Sequence, residues 1–170
     1  MSTGLTTDRR VASRLLSRQL REEGRLDLWL ADAARDLPSD ESRRVRALVY
    51  GVNRQRSLLA AHLDPYLKRP LTDQAPVVHI ALLLGTYEIL FQDAVPDRAA
   101  VSQAVQLVRE FGGGGRTGLV NAILARSGLP FVVSIAQTEA QRDAYRQALI
   151  TGHSTGDTRP FATVVQASVA

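Results

Sequence analysis

Between Pro76 and about Phe91 the chain reads PVVHIALLLGTYEILF, apolar on nearly all sides when wound as a helix. Such a helix has no face to offer water. It is stable only when other elements wrap it, so the rest of the fold has to be built around it. Its longest greasy run, Val77 to Leu84, includes His79 and is far short of a membrane span, which predicts a buried helix of a soluble protein with no membrane partner. His79 reads as a packed or partly exposed core histidine rather than a catalytic group, because no second histidine or carboxylate lies at ligand spacing beside it. The N-terminus MSTGLTTDRR has no apolar segment of the secretory kind. The chain has no cysteine, which removes disulfide scaffolds, thiolate zinc sites and cysteine nucleophiles and fits a cytoplasmic setting.

The sequence supplies the wrapping elements. Asp8 is placed to cap a helix with Val11, Ala12, Leu15, Leu16 and Leu20 at helical spacing, ending near Gly24. Leu26, Trp29, Leu30 and Ala33 form a short second face before Pro38, and Ser39 and Asp40 open a longer helix carrying Val45, Leu48, Val49, Val52, Leu59 and Leu63. Gly51 in that helix suits a close approach by another backbone. After Val95-Pro96, Asp97 is placed to cap a helix from Ala99 to Phe111, and Gly112–Gly115 stops it. Thr117 to Arg126, with Leu119, Val120, Ile123 and Leu124 inward, ends at Gly128 and Pro130. These readings predict an all-α bundle of about six helices over residues 1–128.

Residues 129–170 differ in texture. Phe131-Val132-Val133-Ser134-Ile135 is β-branched and suits an extended segment. Thr138 to about Gly152 predicts a polar helix anchored by Tyr145 and Leu149, His153–Gly156 a turn, and Asp157 a cap for a last stretch with Phe161, Val164 and Val165. A segment this short cannot build its own core, so it has to pack on the bundle, find a partner or stay partly unfolded, and it is expected as an appendage and as the least stable region.

Charge is distributed unevenly. Of the 21 basic residues only Lys68 is a lysine, and residues 1–60 hold 12 arginines against 8 acids while the rest of the chain is balanced. Arg10, Arg14, Arg18, Arg21 and Arg25 recur at spacings of 4, 4, 3 and 4, one face of the first helix, opposite Val11, Leu15 and Leu16. Only Glu22 and Glu23 are near enough in sequence to offset that repulsion, whereas phosphates would relieve it with release of counterions. A solvated arginine-rich face is the plain alternative. Arg43, Arg44 and Arg46, with Arg54 and Arg56, form a second basic cluster, and the two together point to a polyanionic partner.

Several segments taken in order resemble the NusB family, and within it the NusB-like N-terminal domain of RsmB-type rRNA cytosine-C5 methyltransferases. They are LVYG with an arginine three residues on, PYLKRPL, LLGTYEILF followed by Asp93 and Val95-Pro96, and FGGG leading to VNAIL. The resemblance covers about residues 8–128. It implies a helical bundle that binds RNA, rRNA or an rRNA leader, in transcription antitermination or rRNA maturation, beside a ribosomal-protein partner of the NusE type. By position Arg9, Arg10, Arg14 and Arg18 match the family's basic N-terminal region. Two basic family positions are His79 and Leu83 here, and Ser102-Gln103 stands where the family commonly has Asn-Glu. The methyltransferase half is missing: no glycine-rich cofactor loop follows a strand, and the two catalytic cysteines do not exist. No catalytic residue, cofactor or metal is expected.

The tail, from about Gly115, resembles the C-terminal part of Fic-domain proteins downstream of their phosphate-binding loop. Counting back from Arg116, the histidine base position is Val108, the acidic position Gly112 and the asparagine position Gly114, so only Gly113, Gly115 and Arg116 agree. The base for nucleotidyl transfer is absent, and the glycine run reads better as a connector between helices. The expected function is thus a non-catalytic RNA-binding module that uses Arg9, Arg10, Arg14, Arg18, Arg21, Arg25, Arg43, Arg44 and Arg46. A protein-docking accessory domain is the alternative, and a degenerate Fic fragment a weaker one.

Overall fold

The computed structural model describes residues 4–129 and 139–156. Seven α-helices occur among them: α1 (Thr7–Arg21), α2 (Leu26–Ala33), α3 (Ser39–Leu63), α4 (Pro76–Phe91), α5 (Asp97–Glu110), α6 (Thr117–Leu129) and α7 (Glu139–Thr155). No strand is found among the described residues. Short 3-10 turns at Asp64–Tyr66, Leu71–Asp73 and Gly114–Arg116 make the corners.

The apolar helix is central, as its composition requires. Every residue of α4 from Val78 to Leu90 is buried, His79 included, and α1, α3, α5, α6 and α7 all pack against it. Burying each of its leucines and isoleucines stabilises the fold by about 1.5–3 kcal/mol, enough to make α4 the organising element. Two glycines let neighbours come close. A Cβ on Gly51 of α3 would fall 2.1 Å from the Tyr87 ring, and one on Gly85 of α4 would fall 2.6 Å from Leu124. Gly51 therefore accommodates an aromatic side chain of α4 rather than a backbone.

Helix ends differ from the sequence reading in consistent ways. Thr6, not Asp8, occupies the N-cap of α1, and Asp8 is drawn inside the first turn, where it is buried beside Arg9 and Arg44. Pro38 and Pro96 take the caps assigned to Ser39 or Asp40 and to Asp97. Proline fixes φ near the value a cap needs, and an acid within the first turn still meets the positive end of the helix dipole. The first helix ends at Arg21, short of Gly24. In α6, Val120, Ile123 and Leu124 point inward as expected, but Leu119 is 44% exposed, and the helix continues through Gly128 to Leu129.

The polar helix expected in the tail forms as α7 and runs through His153 to Thr155, with the turn at Gly156, φ +70°. Tyr145 is fully buried against the bundle and Leu149 packs beside it. Arg146 donates from Nε to the Leu90 carbonyl at the end of α4 and from Nη1 to Asp93 at 3.1 Å. The extended segment expected at 131–135 and the last stretch expected from Asp157 lie outside the described residues. So does Thr138.

Candidate nucleic-acid interface

An ion pair and a hydrogen bond at opposite ends fix the direction of α1 along α3. Arg44 Nε lies 3.2 Å from Asp8 Oδ2, and Arg56 Nη2 donates to Gln19 Oε1 at 3.4 Å, so the two helices run side by side in the same direction. The chain before α1 is held from the other side. The Thr6 amide donates to Gln103 Oε1 at 2.9 Å and Gln103 Nε2 donates to the Gly4 carbonyl at 3.1 Å. Gln103, noted in the sequence only as a departure from the family pattern, thus anchors the N-terminal segment to α5.

The arginines of the basic region divide by what they meet. Arg9 turns inward: its side chain is 13% exposed, and its Nε donates to Glu88 Oε2 at 3.1 Å. Burial pushes the Glu88 carboxyl above its ordinary value, and the Arg9 guanidinium pulls the other way. These groups floor a polar cleft of about 520 Å³ between the start of α1, α3 and the end of α4. Arg10 faces α5, donating from Nη2 to Glu110 Oε2 at 3.0 Å. That bond raises the Arg10 pKa and lowers that of Glu110. Arg14, one turn on, lies over the Phe111 ring at 5.6 Å. Arg18 lies over the Trp29 ring at 4.2 Å while its Nε donates to Glu22 at 2.8 Å. Arg21 reaches back only to the Ser17 carbonyl, at 3.3 Å.

Arg25 lies past the end of α1, at the N-cap of α2, where it pairs with Asp27. The helical stripe therefore has four members, Arg10, Arg14, Arg18 and Arg21, and Arg25 extends it across the α1–α2 corner. On α3, Arg43 pairs with Asp40 and Arg44 with Asp8, while Arg46 and Arg54 are exposed and make no ion pair among the described residues. Asp8 joins Arg44 of the second cluster to Arg9, the arginine that turns inward, rather than to the stripe. Sequence spacing captured the face but not its acids, since Glu88, Glu110 and Asp8 reach it from other helices or from a position read as a cap. The signal for Glu88 was legible: it is the one acid inside the apolar stretch of α4. The glycine run is a connector, with Gly112 at φ +85°, Gly113 seated on Val77 and Val108, and a 3-10 turn leading into α6.

Comparison with known proteins follows the same boundaries. The NusB family model matches residues 6–128. The transcription antitermination protein NusB of Bordetella pertussis is 34% identical over 103 residues, 61% of this chain and 66% of that protein. That of Burkholderia mallei is 35% identical over 97 residues, 57% of this chain and 66% of the other. This chain thus spans just under two thirds of the length of those relatives. Among solved structures, NusB of T. maritima superposes with a TM-score of 0.66 at 22% identity, covering 74% of this chain and 92% of the other. A chain from a crystal structure described as a plectonemic RNA supercoil gives 0.67 at 21% identity, covering 75% and 95%. The match stops at residue 128, and gives the tail's resemblance to Fic proteins no support. On the extent of the family match and the all-helical architecture that accompanies it, the chain belongs to the NusB family.

Proposed function

We propose that the chain is a non-catalytic RNA-binding module of the NusB type, acting in the cytoplasm in transcription antitermination or rRNA maturation. Residues 1–128 form the binding domain and residues 129–170 an extension to it. The observation that carries the reading is the stripe Arg10, Arg14, Arg18 and Arg21 on one side of α1, continued by Arg25 at the α1–α2 corner; Arg43, Arg44 and Arg46 add positive charge on α3. Arg14, Arg21 and Arg46 make no ion pair among the described residues and are exposed, so they are ready for phosphate oxygens. Arg9, engaged with Glu88, orients α1 rather than meeting RNA. The names of the curated relatives support antitermination as the process, and family resemblance supports a ribosomal-protein partner of the NusE type bound beside the RNA.

Fluorescence anisotropy with a short single-stranded rRNA leader fragment tests this. Binding that weakens with salt is expected, and reversing Arg10, Arg14 and Arg18 to Glu should abolish it. Undiminished affinity in that variant would overturn the assignment to this face.

A further inference from the structure

The Arg18–Trp29 pair stands apart from the rest of the basic face. Arg18 Cζ lies 4.2 Å from the indole centroid, at stacking distance, and its Nε is held by Glu22. The indole is fixed in turn. Trp29 packs against the core, and the Gly24 backbone comes so close to its six-membered ring that a Cβ there would sit 2.3 Å from Cζ2. Arg18 is nonetheless 46% exposed, so the side chain that covers the indole still meets solvent. Glu22 already neutralises its charge, which makes Arg18 a weaker phosphate ligand than Arg14 or Arg21. What it offers instead is a flat, weakly hydrated surface.

We propose that Arg18, laid on Trp29, is the platform on which one unpaired nucleobase of the RNA stacks. Guanidinium and aromatic planes accept bases whose faces are free, and a duplex keeps those faces inside its own stack. The single strand then lies with phosphates on Arg14 and Arg21 and a base over Arg18 at the α1–α2 corner. This rests on the RNA reading above and adds a base-stacking subsite to it.

Arg18→Lys is the informative variant, since lysine keeps the charge and the reach to Glu22 but has no plane to stack on. A labelled 12-nucleotide single strand and the duplex of the same sequence would be titrated by anisotropy across a salt series. The emission of Trp29, the single tryptophan of the chain, would be followed in parallel. For the parent chain, tighter binding of the single strand and a change in Trp29 emission on saturation are expected. Arg18→Lys should lose about fivefold to tenfold for the single strand and nothing for the duplex, with an unchanged salt slope and melting temperature. Trp29→Phe, which keeps a smaller ring, should fall between the two. Equal single-strand affinity of parent and Arg18→Lys, or a silent Trp29, would overturn the platform and leave the RNA reading standing. Failure of the parent to bind either RNA in a salt-dependent way overturns both.

Discussion

Glu88 is 2% exposed on the apolar central helix, and Arg9 is the group that makes its burial tolerable. Removing one member of such a pair strands the other's charge in a poorly solvated place, which typically costs about 3–5 kcal/mol, whereas replacing both by apolar residues often restores stability. Arg9→Met should accordingly lower the urea midpoint sharply, and Arg9→Met with Glu88→Leu should recover most of the loss. A single variant as stable as the parent would show that the pair does not hold α1 in place. Arg9 and Arg10 are indistinguishable as letters in a basic run. Their roles separate because successive residues on a helix point about 100° apart, one toward α4 and the other toward α5, and nothing in the spacing of the arginines alone says where α4 will lie. Titration at the residue scale has a definite sign. Burial holds His62 and His79 below the ordinary histidine value of 6.5, with Arg56 adding to the effect on His79. Their neutral forms therefore favour the folded state, a contribution present above pH 6.5 and lost as pH falls through their depressed values. Glu88, whose value is raised, contributes the opposite way, favouring the folded state at acid pH and losing that contribution as pH rises. Comparing the parent with His62→Gln/His79→Gln cancels Glu88. The melting temperature of the parent should drop more between pH 7.5 and 5.5 than that of the double variant, and parallel curves would refute the assignment.

At the scale of elements, what the sequence disclosed best was the helix that needed no partner to be recognised. The all-round apolarity of α4 is a property of its own residues, so its central place could be inferred without knowing its neighbours. The amphipathic faces of α1, α3 and α5 were equally legible for the same reason. Helix ends and the facing of Leu119 were not, since they depend on which neighbour arrives and from where. The attachment of α7 depends on long-range contacts of the same kind. A helix of ordinary polarity, expected to be the weakest part of the chain, is fastened by the buried ring of Tyr145 and by Arg146 on the Leu90 carbonyl and Asp93. Tyr145→Ala removes the only fully buried large side chain described on α7. Amide exchange should then quicken throughout residues 140–155 while the amides of α4 keep their protection, because the core of the six-helix bundle does not need α7 to close. Uniform loss of protection across both helices would instead make α7 an integral part of the bundle's cooperative unit. Gly51→Ala probes the other side of α4. The added methyl meets the Tyr87 ring, and overpacking of this kind costs about 1–3 kcal/mol, measurable as a lower denaturation midpoint.

For the whole molecule, the sequence reads as a surplus of arginine in the first third, and the structure shows how much of that surplus remains available. Acids contributed by other elements or by positions close in sequence already hold Arg9, Arg10, Arg18, Arg25, Arg35, Arg43 and Arg44. Arg14, Arg21, Arg46 and Arg54 are exposed and make no ion pair among the described residues, while Arg56, also without one, is half-buried on Gln19 and Asn53. Each phosphate contact on a single strand contributes about −0.7 to the slope of log affinity against log salt, so three or four contacts predict a slope of roughly −2 to −3 rather than the steeper value the bare arginine count suggests. On the proposed RNA reading, intramolecular acids compete with the RNA, and relieving one should strengthen binding. Glu110 lies on α5 and neutralises Arg10 from outside α1, so Glu110→Gln frees that guanidinium without altering the helix that carries it. The variant should bind the single strand more tightly than the parent at 50 mM salt, with a slope steeper by about 0.7, and the two affinities should converge as salt rises. An unchanged slope would mean that Arg10 stays outside the RNA footprint even when released, and would confine the interface to Arg14, Arg21 and the α3 cluster.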